Sequence, residues 1–173
     1  MAKIPFKVSA RTARLIGREN IASSKGAIVE LVKNCYDADS SIAIIYFKRI
    51  VEVVKVKEIV DNEEVEVEKK IDKSELYILD AGEGMTEQII SNHWMTIGTN
   101  NKEFDIFTKS GRVKAGAKGI GRFALDKLGD KCEMITKFNP ETHKDIDNKG
   151  NETNYKAYLW EVNWKDFEGE LKL

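Results

Sequence analysis

Glu30, Asn34 and Asp37 stand at positions i, i+4 and i+7 of the run ELVKNCYDAD. At roughly 100° per helical residue they fall within a stripe about 60° wide. Ile28, Leu31, Val32 and Cys35 make a separate apolar stripe. A helix built this way buries one side and offers two carboxylates and an amide from the other. That trio suits metal–nucleotide chemistry. Mg²⁺ prefers hard oxygen ligands and keeps several waters, so one amide oxygen and phosphate oxygens suffice to hold it. A nearby carboxylate can orient and deprotonate a water aimed at a γ-phosphate. Taken alone, the pattern fits an ordinary solvated helix face equally well.

A second group is DAGEGM, in which Asp80 follows an apolar run and precedes Gly82 and Gly84. A carboxylate there can accept from the exocyclic amino group of adenine, whereas guanine presents an acceptor at that edge. The glycines let backbone approach a flat base. By itself the motif fits a plain β-turn better. A third group is GAKGIGRFA, with Gly116, Gly119 and Gly121 ahead of an expected helix. Free N–H groups at a helix start suit phosphate. Local charge agrees: Ile106 to Leu125 holds no Asp or Glu but carries Lys109, Arg112, Lys114, Lys118 and Arg122. The spacing is neither a Walker A loop nor a Rossmann fingerprint. A solvated loop or a basic patch for nucleic acid are the other readings.

These groups need elements to position them. Ser23 and Ser24 are candidate caps for a helix from about Lys25 to Asp37. Ser41 to Lys48 is rich in β-branched residues and reads as a strand. Val51 to Lys57 and Val65 to Lys69 alternate apolar and charged residues about an Asp61-Asn62 turn signal, which predicts a half-exposed hairpin. Leu76 to Leu79 reads as a short strand and Thr86 to Trp94 as a short helix. Gly121 to Leu128 is a further helix closed by Gly129. Cys132 to Phe138 and Tyr155 to Trp164 are strands joined by a polar, exposed loop. The whole predicts a two-layer α/β sandwich whose mixed, mostly antiparallel sheet is covered on one face by helices.

The 173 residues suit one domain, with 42% apolar and 33% charged side chains. A net charge of -1 excludes a global basic field. Cys35 and Cys132 form no CxxC pair and read as buried thiols of a reducing compartment. His93 and His143 lack metal-ligand spacing. No apolar run is long enough to span a bilayer and no leader is visible, so the expected location is the cytosol.

In order and spacing, ExxxNxxDA, then DxGxGM, then GxxGxG resembles the GHKL superfamily. This is the Bergerat ATP-binding fold of DNA gyrase B, the large heat-shock chaperones, histidine kinases and MutL. The resemblance runs from about Phe6 to Leu128. WMTIGTNNK looks like the segment entering the ATP lid. LIGRENIASSKGAIVELVKNCYDAD with GAKGIGRFALDKLGD is most similar to bacterial, MORC-related members. The resemblance implies ATP and Mg²⁺ as ligands, Glu30 as general base, Asn34 as the Mg²⁺ ligand and Asp37 as the neighbouring acidic position. It implies Asp80 as the adenine-specifying carboxylate, with Gly82, Gly84 and Met85 beside the base. Gly116, Lys118, Gly119, Ile120 and Gly121 fall on the phosphate-facing lid, and Thr99 and Lys102 on its approach. A glutamate at position 30, with no dimerisation helix bearing a substrate histidine, favours hydrolysis over histidine kinase activity.

One departure stands out. Relatives of the gyrase, MutL and chaperone type carry a Gly-Thr pair near a late strand; here Thr136 in CEMITKF is the one strand threonine after Lys131, without that pair. The chain is therefore expected to be the N-terminal part of a longer protein, lacking its last strand or strands. ATP-driven homodimerisation of that protein is the expected output. A non-hydrolysing ATP switch and a nucleic-acid module, with DNA as partner through the Lys109 to Arg122 segment, are the competing functions. No membrane partner is expected.

Overall fold

The computed structural model describes residue 19 and residues 21–60, 63–95, 106–115, 125–147, 149–153 and 157–167. The chain is α/β, with antiparallel strands and a few helices. It divides into two compact units, one of Ile44–Leu79 and one of Met1–Ala43 with Asp80–Leu173.

In the larger unit, helix α1 (Ser24–Asp37) begins where the serines predict, because the Ser23 side chain accepts the Gly26 N–H at 3.1 Å. Such a cap satisfies one of the donors a helix start leaves open. Ala27, Leu31 and Cys35, four residues apart, are its buried side, with Ile28 and Val32 half-buried at the flank. Ala27 packs with Ile21 and Leu128. The Ser24 hydroxyl donates to the Lys127 carbonyl at 3.3 Å, fastening the helix start to the turn at 125–127. The helix stops at Ala38, and Asp39 follows with φ 63°.

The smaller unit is one long ribbon. Strand β2 (Val51–Val60) pairs antiparallel with β3 (Glu63–Asp72), from Val51↔Asp72 to Val60↔Glu63. Strand β1 (Ala43–Lys48) pairs with β4 (Glu75–Asp80). The Lys73 N–H to Ile50 carbonyl bond, the Lys48–Glu75 ion pair and the Tyr46–Tyr77 ring contact continue the β2–β3 register. The pleat gives β2–β3 two faces. Val54, Val56 and Val67 share the half-buried one, while Lys55, Lys57, Glu64 and Glu66 lie on the other.

In the larger unit again, Asp80 leads into a turn and then α2 (Glu87–Ile89), capped by the Thr86 hydroxyl and continued by a π-turn over Ile90–Trp94. Strands β5 (Lys131–Thr136) and β6 (Tyr158–Asn163) pair antiparallel, with Cys132, Met134 and Thr136 on the face of Val162, Trp160 and Tyr158. Trp94 meets Trp160 edge-on at 6.0 Å, which joins the π-turn to β6. A 3₁₀ turn, Trp164–Phe167, follows.

Candidate nucleotide site

The α1 stripe forms as the spacing predicts. Glu30 and Asn34 are half-buried, and the Glu30 Oε1 accepts from the Lys33 ammonium at 2.7 Å. Asp37 makes a long-range contact that its spacing did not announce. Its Oδ1 accepts the backbone N–H of Ala115 at 2.7 Å.

Asp80 lies next to this helix. Its carboxylate accepts the Gly82 N–H at 2.8 Å and stands beside the Cys35 thiol. Burial first, and the Asp80 charge second, push that thiol up to about 11, so Cys35 is a neutral, buried side chain. Cys132, expected to be buried, is only half-buried.

The two glycines of DAGEGM are dictated by the protein itself. A Cβ on Gly82 would lie 2.6 Å from the Ala38 carbonyl oxygen and 2.8 Å from Asp80 Oδ1. Gly84 has φ 69°, and its missing side chain is where the Lys137 carbonyl passes. Any L side chain is strained there and has no room. The turn thus runs between the end of α1 and the chain leaving β5. The Glu83 N–H donates to the Ala38 carbonyl at 2.9 Å, and the Asn139 N–H donates to the Glu83 carbonyl at 3.0 Å. The Met85 N–H donates to the buried Thr136 hydroxyl at 2.9 Å. Thr136 therefore stands against this turn although no glycine precedes it in sequence.

Three further residues complete the clamp, and sequence reasoning gave them no role. The Glu83 carboxylate accepts from Lys109 and lies 2.7 Å from His143 Nε2. Burial disfavours its charge, but the Lys109 and His143 contacts outweigh that and hold Glu83 below the usual carboxylate range. Asp145, only 2% exposed, accepts the Glu87 N–H at 2.8 Å and the hydroxyls of Thr153 and Tyr158. The loop between β5 and β6, expected to be exposed, thus carries a buried carboxylate aimed at the start of α2.

Among the basic residues of this segment, Lys109 and Arg112 have acidic or carbonyl partners. Lys109 meets Glu83, and Arg112 donates to the Ser40 carbonyl at 2.7 Å while its guanidinium lies 5.3 Å from the Tyr36 ring centroid. Thr99, Lys102, Gly116, Lys118, Gly119, Ile120 and Gly121 lie outside the described residues. So does most of the helix expected over Gly121 to Leu128; its end forms a 3₁₀ turn at 125–127.

Residues 22–163 match the model of the histidine kinase-, DNA gyrase B- and HSP90-like ATPases. The chain belongs to this family. The match covers α1, the DAGEGM turn and both late strands, so Glu30, Asn34, Asp80 and Thr136 all fall inside it. No curated protein matches the chain. Membership makes this GHKL domain a nucleotide-binding one. No helix among the described residues is long and apolar enough to cross a membrane.

Proposed function

We propose that this GHKL domain hydrolyses ATP with Mg²⁺, and that Glu30 is the general base. The observation that carries the reading is the junction at Ala38, where the helix bearing Glu30 and Asn34 meets the Asp80–Gly84 turn through the Glu83 N–H bond. A base-recognising carboxylate and a water-activating one are thereby held on one rigid piece. Asp80 accepts from the adenine amino group, while its bond to the Gly82 N–H keeps it aimed. Asn34 offers a single hard amide oxygen, and among the described residues no group of three or more His, Cys, Asp or Glu is disposed to hold a metal. Such a donor set fits Mg²⁺ held largely by phosphate oxygens. Bound there, Mg²⁺ would neutralise charge on the triphosphate. Glu30 takes a proton from the attacking water, and Lys33, 2.7 Å from Oε1, fixes the carboxylate's rotamer. Gly116, Lys118, Gly119, Ile120 and Gly121 supply phosphate contacts on this reading, with Met85 beside the base and Thr99 and Lys102 on the approach. Self-association on ATP binding is the output that the family likeness supports.

The test is γ-phosphate release beside binding of a non-hydrolysable ATP analogue. Glu30→Ala should lower turnover at least about 100-fold while binding persists. Asp80→Asn should weaken analogue binding by about tenfold or more. Full turnover in Glu30→Ala removes Glu30 as the base, and unchanged affinity in Asp80→Asn removes the adenine assignment. Binding without any turnover in the parent chain would favour a nucleotide switch.

A further inference from the structure

Residues 106–115 form a compact turn on the end of α1. The Phe107↔Val113 bridge, the Thr108 N–H to Arg112 carbonyl bond at 2.8 Å and the Lys114 N–H to Ile106 carbonyl bond at 2.8 Å close it. Gly111, with φ 84°, makes the reversal. Two carboxylates from the end of α1 grip this turn at separate points. Asp39 accepts the Ser110 N–H at 2.8 Å through one oxygen and the Ser110 hydroxyl at 2.5 Å through the other. The Arg112 guanidinium stands 3.9 Å from it. Asp37 takes the N–H of Ala115, the residue directly before Gly116.

Asp39 occupies this place at a backbone cost. Its φ of 63° is the left-handed region, where glycine is most at ease and Asp is one of the few other residues found. Glycine would satisfy the backbone alone, so what Asp adds is the carboxylate. That side chain is 12% exposed and fully engaged by the turn. The Ser110 hydroxyl above all, with Thr108, holds its pKa down to about 2. Charge-assisted bonds of this kind are roughly twice as strong as neutral ones.

We propose that Asp39 is a positioning residue for the nucleotide site: with Asp37 it pins the 106–115 turn to the helix that carries Glu30 and Asn34, and so sets where Ala115 stands against that helix. The inference rests on the ATP-binding reading above. Asp39 touches no nucleotide in it. Its effect on ligand passes through Ser110 and the Asp37–Ala115 bond, and falls mainly on the terminal phosphate that the glycine-bearing sequence is read to face.

Asp39→Gly removes the carboxylate while keeping a residue at ease at φ 63°, and Asp39→Asn keeps one acceptor oxygen. Both are compared with the parent 173-residue chain and with Ser110→Ala by three readouts. Trypsin cleavage after Arg112 reports the clasp, binding of AMPPNP and of ADP with Mg²⁺ reports positioning, and Tm reports folding. Asp39→Gly should speed cleavage about tenfold and weaken AMPPNP about tenfold, with ADP changed by no more than about threefold. Asp39→Asn should lie between it and the parent chain. Adding Ser110→Ala to Asp39→Gly should change little further, because both remove one interaction. Unchanged cleavage overturns the clasp. Faster cleavage with both affinities intact, or AMPPNP, ADP and Tm falling together, overturns the positioning role. If the folded parent chain binds neither nucleotide, the ATP reading fails and the positioning role falls with it, while the cleavage rates still decide separately whether Asp39 holds the turn.

Discussion

Between Asp80 and Glu87 the turn takes its bonds from distant parts of the chain. Ala38, Thr136, Asn139, His143 and Asp145 each supply a partner. The ribbon of Ile44–Leu79 is held by its own ladder, and its side-chain pairs are open to water: Lys57 and Glu64, 2.8 Å apart, are 73% and 66% exposed. Both regions carry acidic side chains: Asp80, Glu83 and Glu87 in the turn, Glu64 and Glu66 among those of the ribbon. They differ in what surrounds the charge. A half-buried carboxylate such as Glu83 has lost part of its water and depends on its partners. An exposed one trades a protein contact for a solvent contact at almost no net gain. Charge in the turn therefore fixes geometry, while charge on the ribbon keeps a two-stranded element in solution and sets its pairing.

The sharpest way to break the turn is Gly84→Ala. The methyl group meets the Lys137 carbonyl, and φ 69° adds backbone strain. The two together should destabilise the domain by about 3 kcal/mol, measured by urea unfolding. Analogue binding should fall as well, because the same shift moves Asp80. A loss below about 1 kcal/mol would mean that the turn is free to give.

Asp145→Asn comes next. The Thr153 and Tyr158 hydroxyls share Oδ2 and the Glu87 N–H uses Oδ1, so the amide turns a donor toward one of these donors and should cost about 2 kcal/mol. It also tests a pH dependence. Burial opposes the Asp145 charge, but bonds from Thr153, Tyr158 and the Glu87 N–H prevail and lower its pKa, as that of Glu83 is lowered by its own partners. A group depressed on folding stabilises the folded state above its unfolded value. That stability is lost as pH falls through the folded value. Acid unfolding below about pH 4 should therefore be shallower in Asp145→Asn than in the parent chain. An identical acid limb would place the dependence on other carboxylates.

What could be read from sequence follows the range of the interaction. Helix α1, its Ser23 cap and the β2–β3 pairing were legible because periodicity and capping are local. The i, i+4, i+7 stripe was legible for the same reason. The long-range contacts of its residues were not. Asp37 accepts from Ala115, which lies far along the chain. Asp145 sat in an Asn- and Asp-rich stretch that reads as solvent-facing, and only Glu87, Thr153 and Tyr158 arriving together make a buried carboxylate tolerable. Thr136 was set apart by its missing glycine, yet its position opposite Tyr158 in the β5–β6 register brings it to Met85. Composition reports the residues that face water and misleads where a polar network is internal.

The smallest effect should come from the ribbon. Lys57→Ala removes a 2.8 Å pair whose members are both mostly exposed. Neighbouring Lys55 and Glu66 stand 3.6 Å apart on the same face, so Glu64 keeps a positive charge nearby. The change should cost no more than about 0.5 kcal/mol, and 1 M salt should erase the difference. The side chain lies on the charged face, so the half-buried valines opposite are untouched and the register has no cause to slip. A loss above about 1 kcal/mol that persisted in salt would show that the Lys57 stem, through its methylenes, packs as part of the ribbon's structure. The contrast between turn and ribbon would then lie in the number of apolar contacts each charged side chain makes, and solvent exposure of its head group would be the lesser factor.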